Sequence, residues 1–224
     1  MPDRKARKPS HTIDIVLLTA VGGQLAVLLC RSAEGREKWM LPYDAPRPSE
    51  TMEGAASRIA RSAGVGEPAW LEQVGAFGDG KRHPSDADIS VGFVGLIPMG
   101  TPSPVGGVYA WFPVSEVPQM APRQRLVLDT AIAMIRGRMD QSPVAFRLLP
   151  QMFTLTELQQ MYELLLAKRL HKASFRRALQ AAWLVEPTDE WRSEGRGRPA
   201  QLYRYAPRKR RPAQRGIRLD LLSS

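Results

Sequence analysis

Residues 154–205 read TLTELQQMYELLLAKRLHKASFRRALQAAWLVEPTDEWRSEGRGRPAQLYRY, and this stretch decides the architecture. Thr154 with Glu157 three residues on is the spacing of a capping box, so a helix is expected over 154–167, with Leu158, Met161, Tyr162 and Leu165 facing a core. Phe175, Ala178, Leu179 and Ala182 recur at i, i+3, i+4 and i+7, which predicts a second helix over 172–182. A shorter helix over 143–149 is expected to precede them. Strands over 184–191 and 200–205 should flank a turn containing Gly195 and Gly197. Short helices followed by a hairpin spell a winged helix-turn-helix, expected to occupy 141–206.

If one face of the 172–182 helix is buried, the other is fixed: it presents Lys172, Ser174, Arg176, Arg177 and Gln180. Arginine and glutamine on a helix of that kind can make bidentate pairs to guanine and adenine edges in the major groove. The hairpin turn alternates glycine with arginine, so Arg192, Arg196 and Arg198 are candidates to follow a phosphate rail or minor groove. Charge distribution agrees. The chain of 224 residues carries 32 basic and 22 acidic side chains, net +10, of which residues 1–140 hold only +1 and residues 141–224 hold +9. A solvated surface or an anionic membrane could also account for such charge. The basic residues of the turn, however, alternate with glycine and proline instead of lining one side of a long amphipathic helix.

Upstream the pattern is α/β. Apolar runs at 13–18 and 25–30 flank Gly22-Gly23 as a hairpin, and Asp14 is the only charge in the first run. A helix is expected over 50–63, ended by Gly64, with strands at 70–77, 89–97 and 108–112 and a helix over 122–138. Residues 11–140 therefore form one α/β sandwich, between a basic arm at 1–10 and a basic tail at 207–224. With 43% hydrophobic residues there is enough apolar side chain for a core in each part. Cys30 with three scattered histidines, His11, His83 and His171, excludes disulfide scaffolds and zinc modules. The uncharged run 89–115 is broken by prolines and glycines and is not a membrane span. The first ten residues do not read as a secretory signal, so a cytoplasmic address is expected.

Trp39-Met40-Leu41-Pro42, the segment ending at Glu50, and the Ala55-Ala56 helix ending at Gly64-Val65 resemble a Nudix hydrolase domain. Val74-Gly75-Ala76-Phe77-Gly78-Asp79, Arg82 with Pro84, and the strand ending Ile97-Pro98 are similar to one branch of that superfamily, the Nudix-related transcriptional regulators (NrtR). So are Phe153-Thr154-Leu155-Thr156-Glu157-Leu158, Phe175-Arg176-Arg177 and the segment Gly195 to Tyr203. The likeness extends over nearly all of 11–206. It implies an N-terminal Nudix-like α/β/α sandwich with a C-terminal winged helix-turn-helix domain.

Nudix hydrolases set an Arg-Glu pair and, three residues later, a Glu-Glu pair on their helix, and these carboxylates hold Mg²⁺. Anchored at Arg58, the acidic positions here are Ile59, Ser62 and Ala63; anchored at Gly64 they are Arg58, Arg61 and Ser62. Catalysis is thus not expected, nor is a cofactor or metal. Glu50 and Glu53 are read as first-turn acids that favour the helix dipole.

The resemblance implies a transcriptional regulator, mainly of repressor type, acting on genes of NAD metabolism. It would bind a double-stranded DNA operator as a homodimer and sense ADP-ribose or a related NAD-pathway nucleotide. Candidate ligand contacts are Trp39 for stacking, Arg58 and Arg61 for phosphates, and Asp79 with Arg82 on an approaching loop. His83 and Cys30 have no evident partner in sequence and read as incidental. Three alternatives remain at this level: a pyrophosphohydrolase with a nucleic-acid-binding appendage, a regulator of sugar catabolism, and a general nucleic-acid-binding protein without effector.

Overall fold

A computed structural model describes residues 10–31, 38–78, 80–105, 107–139, 142–193 and 199–207. The basic arm and tail expected at 1–10 and 207–224 lie outside these apart from Ser10 and Pro207. The chain divides into two compact units. The first takes in the chain up to Thr19, Ala26–Ile97 and Thr101–Ala133; the second takes in Ala20–Leu25, Pro98–Gly100 and the chain from Met134 onward.

The first unit is built on a mixed seven-stranded sheet. Its strands are β1 (His11–Val21), β2 (Gln24–Arg31), β3 (Trp39–Met40), β4 (Tyr43–Asp44), β5 (Trp70–Phe77), β6 (Ile89–Leu96) and β7 (Tyr109–Pro113). The order is β3-β2-β1-β6-β5, with β4 on β1 and β7 on β2. β1 and β6 run parallel, from His11 opposite Ile89 to Leu18 opposite Leu96. Residues 12–19 of β1 are all buried, as a strand covered on both faces requires. Ile13, Ile15 and Leu17 meet Ala55, Ala56, Ile59 and Ala60 of α1 (Met52–Ser62), whose small side chains let the helix lie close to the sheet. Thr51 caps α1 by accepting from the Gly54 amide at 3.0 Å. Gly64, at φ +79°, supplies the left-handed residue that ends it.

Helix α2 (Pro122–Arg138) begins with the proline whose missing N–H is no loss at a first turn. Its Val127 packs directly on the backbone of Gly92 in β6, where an added Cβ would stand 2.9 Å from Val127 Cγ1. Neighbouring Val91 and Phe93 belong to the cluster under α1, so α2 covers the opposite face of the sheet.

The C-terminal part of the second unit contains β8 (Met152–Phe153), α3 (Leu155–Leu166), α4 (Lys172–Ala182), β9 (Val185–Arg192) and β10 (Ala200–Tyr205), with sheet order β8-β10-β9. The capping box at Thr154 and Glu157 forms in both directions, at 3.1 Å and 2.7 Å. The helix expected over 143–149 is instead a 3₁₀ turn, Val144–Arg147. Pro143 and Pro150 confine it to too few residues for an α-helical turn to propagate. The core is aromatic: Phe146 packs on Phe153, Tyr162 and Tyr205, and Tyr162 packs on Phe175 at 5.3 Å between ring centroids. No helix among the described residues is long and apolar enough to cross a membrane.

Candidate nucleic-acid interface and sensor site

Burying Phe175 and Leu179 turns the polar residues of α4 outward. Lys172, Arg176, Arg177 and Gln180 are exposed, and none of their side chains makes an ion pair or hydrogen bond among the described residues. Lys172, Arg176 and Gln180 fall on one row at i, i+4, i+8, with Arg177 beside it. Ser174 is half-buried at the edge of this face, its hydroxyl 3.2 Å from His171 Nδ1. The turn between α3 and α4 is held by Glu163, which accepts from the Leu170 amide at 2.9 Å and from Gln159 and Arg169. Burial opposes ionisation of Glu163, but these three donors keep its carboxyl below the usual carboxylate range.

Arg192 lies elsewhere. It reaches back from β9 to Glu157 Oε1 at 2.7 Å and to the Met152 carbonyl at 3.3 Å, joining the hairpin to the start of α3. Arg196 and Arg198 are outside the described residues, as is Asp79.

In the first unit most of the described candidate ligand residues are engaged by neighbours outside the candidate set. Trp39 is half-buried, edge-on to Phe112 at 4.7 Å, with the Arg31 guanidinium 4.4 Å from its ring centroid. Arg58 donates from Nε to Glu50 at 2.8 Å, from Nη1 to Asp44 at 2.6 Å, and from Nη2 to Glu50 and the Ala45 carbonyl. Glu50 therefore is not a first-turn acid: it precedes the capping residue Thr51. The Arg58 bond, together with the Arg47 amide, holds its carboxyl down at about 2. Arg61 pairs with Glu67 at 2.6 Å on the surface. Arg82 is exposed, and its carbonyl accepts from the Arg123 amide.

His83 is not incidental. It is fully buried, and its Nε2 lies 3.1 Å from Oδ1 of the equally buried Asp14, 69 residues away in sequence. The ring of Tyr43, which is opposite Asp14 in the β1–β4 ladder, stands edge-on at 4.7 Å. Gln124 of α2 straps this region by exchanging hydrogen bonds with both backbone groups of Leu41. The sequence signal was Asp14 itself, the single charge in an apolar strand. Cys30 is buried enough that its thiol is pushed up to about 11, which leaves it a poor nucleophile. Among the described residues no three His, Cys, Asp or Glu side chains cluster so as to hold a metal ion.

Residues 145–205 match the family model of the NrtR DNA-binding winged helix domain. Over 208 residues the chain is 30% identical to the ADPR responsive transcriptional repressor NtrR of Acinetobacter baylyi, covering 88% of this chain and 82% of that protein. It is similar to the crystal structure of Shewanella oneidensis NrtR complexed with a 27mer DNA, with a TM-score of 0.76 and 28% identity over 88% of this chain and 93% of that one. A MutT/nudix family protein from Enterococcus faecalis shares the fold, with a TM-score of 0.72 and 21% identity over 89% of each chain. A Nudix-like α/β sandwich carrying a winged helix domain, with a free cationic face on the second helix of that domain, defines a class of DNA-binding regulators. Within that class this chain belongs to the NrtR family of transcriptional regulators.

Proposed function

We propose that the protein is a transcriptional repressor that binds a double-stranded operator through α4 and senses ADP-ribose, or a related NAD-pathway nucleotide, through its Nudix-like domain, over 11–140. The observation that carries this is the face of α4. Three cations and an amide stand exposed there without internal partners, in a segment that matches a DNA-binding family. Lys172, Arg176, Arg177 and Gln180 are the proposed base and phosphate contacts. Ser174 contributes at the edge, and Arg196 and Arg198 follow the backbone from the turn. Arg192 holds the hairpin in place instead of reaching for DNA. A cytoplasmic homodimer would set two such helices on half-sites roughly 10 or 21 base pairs apart.

For the effector, Trp39 stacks on the base, Arg61 meets a phosphate, and Asp79 and Arg82 contribute from the approaching loop. Arg58 contributes less, since two carboxylates already neutralise it. The residues do not fit the Mg²⁺ that hydrolases of this fold use. Of the acids near α1, Glu50 and Asp44 are taken by Arg58 and Glu67 by Arg61, and no three His, Cys, Asp or Glu side chains cluster among the described residues. The domain accordingly binds its nucleotide without cleaving it.

Fluorescence anisotropy with DNA from the protein's own upstream region, at fixed salt and with scrambled DNA as control, tests the reading. Specific binding weakened by ADP-ribose is expected. Equal affinity for both DNAs would refute it, and ADP-ribose turnover abolished by a chelator would refute the non-catalytic sensor.

A further inference from the structure

The proposed function leaves unused a buried polar cluster of the first unit. Asp14 is wholly enclosed in β1, and its Oδ2 has no hydrogen-bond partner among the described residues. A buried carboxylate in that state is costly to keep unless it does something that an apolar residue could not.

Its Oδ1 meets His83 Nε2, and the other side of the ring fixes which nitrogen carries the proton. The Ser85 amide donates to Nδ1 at 3.1 Å, so Nδ1 is an acceptor and the ring hydrogen sits on Nε2, donating to Asp14. The chain of bonds continues outward. The Ser85 hydroxyl, 2.8 Å from Nδ1, donates to it and in turn accepts from the Ala87 amide at 3.3 Å. From α2, Arg123 closes the other end, through its guanidinium to the Ala87 carbonyl at 2.5 Å and its amide to the Arg82 carbonyl at 3.3 Å. The segment 81–88 is thus clipped at the two buried residues His83 and Ala87, while Lys81, Arg82, Pro84 and Asp86 remain exposed. It has no regular secondary structure, and Asp86 even takes φ +56°. Its shape is set by this clip.

We propose that Asp14 is a positioning residue for effector binding: acting through His83, it holds segment 81–88 so that Arg82 is presented in one orientation. This rests on the assignment of Arg82 to the effector site. An arginine on an unclipped loop would have to be ordered by the ligand, and that entropy would come out of the affinity.

The test measures ADP-ribose affinity by calorimetry, operator affinity without ligand, and amide exchange at Ser85 and Ala87, each in the full-length protein well below its melting temperature. Asp14→Ala should bind ADP-ribose about tenfold more weakly, the loss of roughly one hydrogen bond. Exchange at Ser85 and Ala87 should become faster, and operator affinity should stay within about twofold. Asp14→Asn should restore most of the loss, because its Oδ1 still accepts from His83 Nε2–H. A folded Asp14→Ala protein with unchanged effector affinity, or an Asp14→Asn protein as weak as Asp14→Ala, would overturn the proposal. Should Asp14→Ala not fold, Ser85→Ala takes its place, with a loss of about threefold expected and no loss counting against the proposal. Should the unaltered protein fail to bind ADP-ribose at all, the effector assignment falls while the exchange rates still decide the clip. Slow exchange in the Asn variant and fast exchange in the Ala variant uphold it, and equal rates in both defeat it.

Discussion

Arg58 in the first unit and the arginines of α4 in the second are used in opposite ways. In the first, Arg58 is four-fifths enclosed and its donors are committed to Asp44, Glu50 and a carbonyl, while Arg123 is buried against backbone oxygens. In the second, Arg176 and Arg177 stand on a helix, α4, that contains no acidic residue, and they make no ion pair among the described residues. The same side chain is an internal strut where carboxylates or carbonyls engage it and an available ligand where they do not. Net charge alone does not distinguish these uses. Pairing does, because a guanidinium already held by two carboxylates has few donors left and little net field for a phosphate.

The largest effect that would sharpen this contrast is on the scaffold that aims α4. Phe175→Ala removes a wholly buried ring packed on Tyr162 and should destabilise the winged helix part by about 3–5 kcal/mol, read by urea unfolding. Next, Arg177→Ala should weaken operator binding by about 1–3 kcal/mol without altering the melting temperature, measured by anisotropy at fixed salt. An equal loss on scrambled DNA would mark it as a phosphate contact, not a base reader.

Arg58→Ala probes the opposite role. The Glu50 carboxyl sits at about 2 in the folded protein against an ordinary 4.5, so the stability it contributes is present above about 4.5 and is lost as pH falls through about 2. The variant should melt lower at pH 5 and show a flatter decline from pH 5 to 2, with operator binding unchanged. A decline as steep as that of the unaltered protein would break the comparison. Smallest is Thr154→Ala, which removes one half of the capping box and should cost about 1 kcal/mol.

Long periodic elements were legible in the sequence. The helix expected over 172–182 has those bounds in the structure, and its buried Phe175 and Leu179 follow from spacing alone. The strands β3, β4 and β8, two residues each, were not legible, because a period of two cannot show itself in one repeat. The helix expected over 143–149 is a 3₁₀ turn because Pro143 and Pro150 leave too few residues between them for an α-helix to propagate. Among the site residues, the outward face of α4 could be read from the sequence, whereas the inward commitments of Arg58 and Arg192 could not. Glu50 and Glu157 are assigned to them by the packing of α1 and β9, not by any local pattern.

What the sequence determined by itself is whatever depends on neighbours within a turn or two: the capping box, the amphipathic faces, the glycine that ends α1, and the acid-free helix that leaves its cations unopposed. Tertiary structure alone decided what depends on partners far along the chain. Asp14 and His83 became a pair only when β1 and the segment before β6 were laid together, 69 residues apart. The physical reason is that backbone periodicity constrains side-chain direction over a few residues, while the fate of a charge depends on which opposite charge folding brings within about 3 Å.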